Sequence, residues 1–395
     1  MNYPKKARFL PLAALTALIF PAGCDDGLHP VANPVPDPAL STAAAYQASN
    51  AATPLRVMTR NMYLGGNIAI ALGADPANPL ALIQAVNAVW DQVQATQFQE
   101  RVVALVDEIE AGRPHVVGIQ ELPQYVILNS LGQPVSSQDH LEILMEEIEE
   151  RGLPYEVAAV QKHFDFVMPK AYDFGTGQVS EYIWFTMHIG VLVRSGFPVT
   201  DLDQGNYQSG VPFIPGVDIE RGWIRVTAEL GGVPYHFVNT HLEVQDFAPI
   251  QVSQTQELLD GILSGLDGVT VLMGDLNSDA EAGPDARSWT PTYGMLMDAG
   301  FQDAWRTAHP GRPFRGYTCC QAPELNNPVS ELDERIDFVL LRADDGPPGL
   351  DRLPGAVSAV IVGDKRWDRT SPSGLWPSDH AGLLVELRIP QGPRR

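Results

Sequence analysis

The chain has 395 residues, a net charge of −22, and 26 Lys plus Arg against 48 Asp plus Glu. That balance excludes a general polyanion-binding surface, which needs a basic stripe, although it leaves room for a locally basic groove. Gly and Pro make up about a sixth of the residues, below the level of a disordered composition, so most of the chain is expected to fold.

The elements begin with an export address. Lys5, Lys6 and Arg8 precede an apolar run from Phe9 to Phe20, and small residues follow up to Cys24. A positive start, an apolar stretch and a small-residue exit make a secretory signal. The run is shorter than the roughly 20 residues that a bilayer span needs, and no later stretch is long and apolar enough. Ala22-Gly23-Cys24 resembles the lipobox of bacterial lipoproteins, except that Pro21 stands where that pattern usually has Leu. The resemblance implies a signal peptide over residues 1–23, lipidation of Cys24, and a protein anchored to a membrane outside the cytoplasm; an ordinary signal would leave it secreted. Residues 24–53 are rich in Pro, Ala, Ser and Asn, cannot bury a core, and read as a disordered tether.

Residues 54–390 read as one domain, without a low-complexity break or an internal repeat. Leu55–Met62 is a strand. Leu80–Glu110 carries apolar residues at helical spacing (Val86, Val89, Val93, then Val102, Leu105, Val106, Ile109) and holds one or two helices. His115–Gln120 is a short buried strand ending at Glu121. Ser136–Arg151 is a helix, capped by Ser136 or Ser137 and stopped at Gly152. Later strands are Tyr155–Val160, His188–Arg194, Trp223–Leu230, Tyr235–Thr240, Val269–Met273, Ile336–Leu341 and Leu383–Ile389, with a helix near Pro249–Leu266. Strands feeding into strands, with helices interspersed, point to an α/β fold of two packed mixed sheets flanked by helices. Two long connections are aromatic: Gln161–Met187 reads as an added hairpin or an apolar rim, and Asp201–Glu220 as a loop bordering the same cleft. Cys319 and Cys320 are adjacent. Neighbouring Cα atoms lie about 3.8 Å apart, closer than disulfides prefer, so either a strained bond or two free thiols fits. With no third Cys at ligand spacing, a zinc site is not expected.

Polar side chains recur at strand ends, where open α/β proteins place ligands. They are Asn61 in Thr59-Arg60-Asn61, Glu121 in Ile119-Gln120-Glu121, His241 in Asn239-Thr240-His241, and Asp275 and Asn277 in Gly274-Asp275-Leu276-Asn277. Asp337 in Arg335-Ile336-Asp337-Phe338 and Asp379-His380 after Ser378 complete the set. Taken singly each has a dull explanation, and any one three-residue motif appears by chance in a chain of this length about once in twenty. The ordered set resembles the endonuclease/exonuclease/phosphatase superfamily, which includes neutral sphingomyelinases and inositol-polyphosphate phosphatases.

The resemblance spans about residues 55–389 and implies a four-layer α/β/β/α sandwich. It implies hydrolysis of a phosphate ester with Mg²⁺ (or Mn²⁺ or Ca²⁺), one or two ions, held by Asn61, Glu121 and Asp379. Such oxygen ligands suit a hard cation. By the same resemblance His380, oriented by Asp337, polarises the attacking water, and Asp275 and Asn277 orient it and bind the phosphoryl oxygen. Asp275 and the His380 pair remain alternative bases. His241 binds phosphate or assists the leaving group, and Arg221 is a phosphate-binding cation or a solvated surface charge. The acidity and the aromatic loops favour a lipid or small diester. A secreted nuclease, a phosphomonoesterase of the inositol-phosphatase type and an inactive binding protein are the alternatives. Nucleic acid is the less favoured substrate, and no protein partner is implied.

Overall fold

The computed structural model describes residues 54–75, 77–214, 217–311, 315–343 and 356–388. The expected signal peptide, Cys24 and the tether lie outside the described residues.

Strand β1 (Leu55–Asn61) leads into helices α1 (Ala69–Leu72), α2 (Pro79–Ala95) and α3 (Phe98–Gly112). Next come β2 (Val116–Asn129), β3 (Pro134–Asp139), α4 (His140–Glu150) and a hairpin of β4 (Tyr155–Asp173) and β5 (Gln178–Arg194). Strands β6 (Val199–Asn206), β7 (Val211–Ile214), β8 (Val217–Ile219), β9 (Gly222–Leu230) and β10 (Val233–His241) follow. Helix α5 (Ala248–Glu257) runs on into a π turn, Leu258–Ile262, before β11 (Val269–Asp275). The remaining elements are α6 (Thr292–Asp298), β12 (Gln302–Asp303), α7 (Ala304–Ala308), β13 (Asp337–Ala343), β14 (Ala356–Val362) and β15 (Gly382–Leu387). No helix among the described residues is long and apolar enough to cross a membrane.

Apart from β7 and β8, which pair with each other, the strands form two mixed sheets. One has the order β14-β15-β1-β2-β5-β4 with β3 beside β2, and the other β12-β13-β11-β10-β9-β6. Alternation along the strands serves two faces at once. Leu55 and Val57 of β1 meet Val271 and Met273 of β11 in the core between the sheets. Met58 faces the other way, under Leu105 and Ile109 of α3 and Leu144 of α4. Likewise Leu272 turns outward to Leu258 and Leu296. Helix, sheet, sheet and helix thus form the four expected layers.

A polar pin crosses the apolar seam. Asn239 on β10 donates to the carbonyls of Ile119 and Gly190 in the opposite sheet, and accepts from Gln120 at 2.6 Å. A Cβ on Gly118 would come within 2.8 Å of the Asn239 Oδ1, so this seat must be glycine.

Several expected boundaries move. Residues 134–139 form β3, paired antiparallel with β2, and the helix after it is capped by Asp139, whose Oδ1 accepts from Leu141 and Glu142 N–H. Backbone pairing with β2 outcompetes a helical start at Ser136. β2 itself continues past Glu121 as the partner of β5, through a bulge between Ile119 and Leu122. Most of Gln161–Met187 is β4 and β5, and Phe164, Phe166 and Phe185 pack together there beside Val86, Val89 and Val93 of α2. Phe174 at the turn is the exposed exception. Asp201–Glu220 is likewise largely strand, with Tyr207 buried and its hydroxyl bonded to Thr240.

Candidate active site

The polar residues converge because parallel and antiparallel strands deliver opposite ends to the same edge of the sandwich. β1, β10 and β11 end there, and β13 and β15 begin there. In the second sheet His241, Asp275 and Asp337 are register neighbours across β10, β11 and β13. Glu121 sits in the β2 bulge at φ 57°, a left-handed conformation that turns its carboxylate toward the edge. Gly274, just before Asp275, has φ 145°, and a Cβ there would lie 1.9 Å from the Thr240 carbonyl oxygen. This glycine lets β11 pass close enough to β10 to deliver Asp275.

The side chains enclose a cavity of about 510 Å³ lined by Glu121, Arg221, His241, Asp275, Asn277 and His380, among others. None of the described residues of Gln161–Met187 or Asp201–Glu220 lines it: the first is the added hairpin of the two readings, and the second does not line this cavity as expected. Asn61 is fully buried and bridges two acids: its Nδ2 donates to Glu121 Oε1 and Asp275 Oδ2, both at 3.1 Å. Its Oδ1 accepts from Tyr63 N–H at 3.0 Å. Asn61, expected as a cation ligand, thus holds both carboxylates, and its oxygen keeps a second lone pair beyond the one that accepts from Tyr63. The other Glu121 oxygen accepts from Leu64 N–H at 2.9 Å.

His380 Nδ1 lies 2.8 Å from Asp337 Oδ2, both buried, and its Nε2 lies 3.8 Å from Asp275 Oδ2. Burial opposes a charge on this imidazole, but Asp337, Asp379 and Asp275 outweigh it and hold its pKa well above the usual value. His241 is the opposite case. Burial, with Arg221, His163 and His380 adding like charge, keeps it well below the usual value and hence neutral. Burial, reinforced by Asp337, pushes Asp275 up to about 7. Desolvation, against the pull of His380, pushes Asp379 up to about 6. Asn277 at φ 49° donates its backbone N–H to Asp275 Oδ1 and its Nδ2 to the Leu242 carbonyl. Arg221 is no solvated surface charge. It makes a two-pronged ion pair with Glu243 at 3.1 and 3.0 Å, and its Nη1 lies 3.3 Å from both His241 ring nitrogens.

Supporting residues went unnoticed in the sequence. Arg101 is fully buried and donates to the carbonyls of Thr96, Met62, Tyr63 and Pro377, tying the turn after Asn61 to the one before Asp379. Arg60, paired with Glu108, donates to the His380 carbonyl at 2.5 Å. The detectable signal for Arg101 was its place on the apolar face of α3, between Phe98 and Leu105. Cys319 and Cys320 are joined by a disulfide on the cavity wall. Their segment laces the site together: Thr318 Oγ1 accepts from Asp337 N–H, Ala381 N–H donates to the Thr318 carbonyl, and Cys319 bridges to His380.

Residues 86–380 match the profile of the Endonuclease/Exonuclease/phosphatase family, a span that holds every expected site residue of the domain except Asn61. Among solved structures, an endonuclease/exonuclease/phosphatase family protein from Leptotrichia buccalis C-1013-b is similar at 13% identity and a TM-score of 0.50, over 85% of this chain and 100% of that one. An endonuclease/exonuclease/phosphatase from Beutenbergia cavernae DSM 12333 is 20% identical with a TM-score of 0.44, over 85% and 72% of the two chains. D. rerio TDP2, complexed with single strand DNA product, is 15% identical with a TM-score of 0.49, over 85% and 100%. No curated protein matches the sequence.

Proposed function

Since this chain belongs to the endonuclease/exonuclease/phosphatase family, whose members hydrolyse phosphate esters, we propose that it is a divalent-metal-dependent phosphodiesterase for lipid-borne or other small diesters. The observation that carries the reading is the division of protons in one cavity: Asp275 raised to about 7, His380 held charged and His241 held neutral. Titratable groups pushed apart by their surroundings are how one site performs acid and base work together.

The donor set fits a hard cation. Glu121 and Asp379 offer oxygen donors, and burial of Asp379, with Glu121 adding like charge, disfavours its carboxylate in a way that a divalent ion would relieve. Asn61, Glu121 and Asp379 would hold the ion, with Asn61 also setting the Glu121 carboxylate. Bound there, it would neutralise phosphoryl charge and stabilise the leaving oxygen. Asp275, fixed by Asn277 and Asn61, takes the proton of the attacking water. His380 donates from Nε2 because Asp337 occupies Nδ1, and neutral His241 donates a hydrogen bond to the phosphoryl group. Arg221 adds positive potential but is shared with Glu243.

Small diesters are favoured over duplex DNA because, of the two arginines lining the cavity, buried Arg221 is already held by Glu243, which leaves only the exposed Arg287 to meet a phosphate. Duplex binding gains affinity mainly from cations that neutralise phosphates. The proposal extends to export and anchoring through Cys24, from the sequence alone; Cys24→Ser should then shift the protein from the membrane to the soluble fraction. Hydrolysis of bis-(p-nitrophenyl) phosphate that EDTA abolishes and Mg²⁺ restores is the expected result. No metal-dependent hydrolysis, or plasmid DNA cleaved faster than every lipid and small-ester substrate, would overturn the reading.

A further inference from the structure

We propose that reduction of the Cys319–Cys320 disulfide opens a second cation site, built from the two sulfurs and His380 Nε2, that takes a soft divalent ion such as zinc and thereby switches hydrolysis off. Both cysteines line the cavity beside His380. One ligand atom from each of the three residues lies within 4.8 Å of the other two. Zinc–ligand bonds of about 2.0–2.3 Å put tetrahedral ligand atoms roughly 3.3–3.8 Å apart, so once reduction frees the two sulfurs to separate, the three atoms can converge on one ion.

His380 is prepared for the role. Its Nδ1 is occupied by Asp337 at 2.8 Å, the carboxylate–imidazole arrangement that orients metal-binding histidines and leaves Nε2 as the ligand. The backbone fixes the partners together, since Cys319 forms a β-bridge with His380 and Ala381 N–H donates to the Thr318 carbonyl at 2.7 Å. Cys319 is buried at 1% exposure while Cys320 is exposed, so a reductant has a way in.

A disulfide offers no thiolate, so the site exists only after reduction. A phosphine supplies the two electrons: it takes the oxygen of one water to become the phosphine oxide, the S–S bond breaks, and two thiols form. Zinc binding then releases to solvent the two thiol protons and the Nε2 proton of the charged His380. Thiolates select zinc where the carboxylates at Glu121 and Asp379 select hard ions, so the two sites do not compete for one metal.

The switch rests on the proposed role of His380; the binding does not. The full chain is compared oxidised and phosphine-reduced, in saturating Mg²⁺, by zinc titration against a chromophoric chelator and by turnover of bis-(p-nitrophenyl) phosphate. The expected result is one additional zinc per chain in the reduced protein alone, lost in Cys320→Ala, with turnover falling about 10²-fold or more, as for loss of an acid–base group. Equal zinc in both states, extra zinc that survives in Cys320→Ala, unfolding on reduction, or extra zinc with turnover unaltered would each overturn it. An oxidised protein inactive without zinc would instead refute the hydrolase reading.

Discussion

Replacing Asp275 by Asn should make the protein less active and, at alkaline pH, more stable relative to wild type. Asp275 is raised from 3.8 to about 7 by burial and by Asp337. An acid whose folded pKa is raised contributes stability in its protonated form, which is fully present below pH 3.8 and lost as pH rises through about 7. Between pH 5 and pH 8 roughly two units of that shift are expressed, or about 3 kcal/mol. Coupling of Asp275 to His380 and its acidic neighbours argues for about half, ~1–2 kcal/mol. Asn carries no charge at either pH, so the wild type should lose this much relative to Asp275→Asn over that interval. The amide forfeits one hydrogen bond, because its nitrogen would face the Asn61 Nδ2, which costs about 1 kcal/mol at every pH. That sets the offset between the two proteins and leaves the slope untouched. Denaturant melts of both proteins at pH 5, 6, 7 and 8 in EDTA measure it. A difference in stability that is flat, or that grows in favour of wild type with pH, would refute the assigned ionisation. In the wild type kcat/KM should rise up to about pH 7 and level off, and Asp275→Asn should lose about 10²–10⁴ in kcat.

His380→Ala should cost about 10²–10⁴ in kcat/KM, Asp337→Asn should be impaired too, and the double variant should be little worse than His380→Ala, since a unit is not additive. Near-normal turnover in His380→Ala would show that the wrong imidazole was assigned. Glu121→Gln should raise the Mg²⁺ concentration for half-maximal activity by removing a charge from a hard-ion site; an unchanged Mg²⁺ titration would sink that role. Gly274→Ala should destabilise by ~3 kcal/mol or more, because backbone oxygen, not a movable side chain, lies 1.9 Å from the added Cβ; a wild-type Tm would contradict the close approach of β10 and β11.

The central strands are legible in the sequence because they are buried on both faces. β11 is apolar from Val269 to Met273 except for Thr270, and is buried throughout. β4 and β5 are harder to see, since their alternation is interrupted by bulges at Lys162/Phe164 and Pro169/Ala171 that change which face each residue occupies. The edge strand β3 is polar and exposed at Pro134 to Ser137 and takes its structure from β2, so local propensity could not announce it. In the site, the residues that carry a distinctive motif could be named, but their roles depend on neighbours distant in sequence. That Asn61 also bridges Glu121 and Asp275 shows only once their strands are brought together. Arg221 looks like a free cation until Glu243 is seen beside it. Arg101 and Asn239 carry no motif, because a buried polar group is defined by the carbonyls it satisfies, and those come from other strands and turns.

The seam between the sheets bears on the lifetime of the folded chain. Asn61 and Glu121 ride on one sheet and His241, Asp275 and Asp337 on the other, with the Asn61–Asp275 and His380–Asp337 bonds crossing between them. Neither sheet alone offers more than half a binding surface, so a ligand that fills the cavity grips only a chain whose layers have already docked. Contacts of this kind, absent from the transition state, slow unfolding and leave the folding rate alone. In a chevron plot, an occupied cavity should lower the unfolding arm while the folding arm stays in place, so that ligand acts as a latch on a finished molecule and has no part in building it.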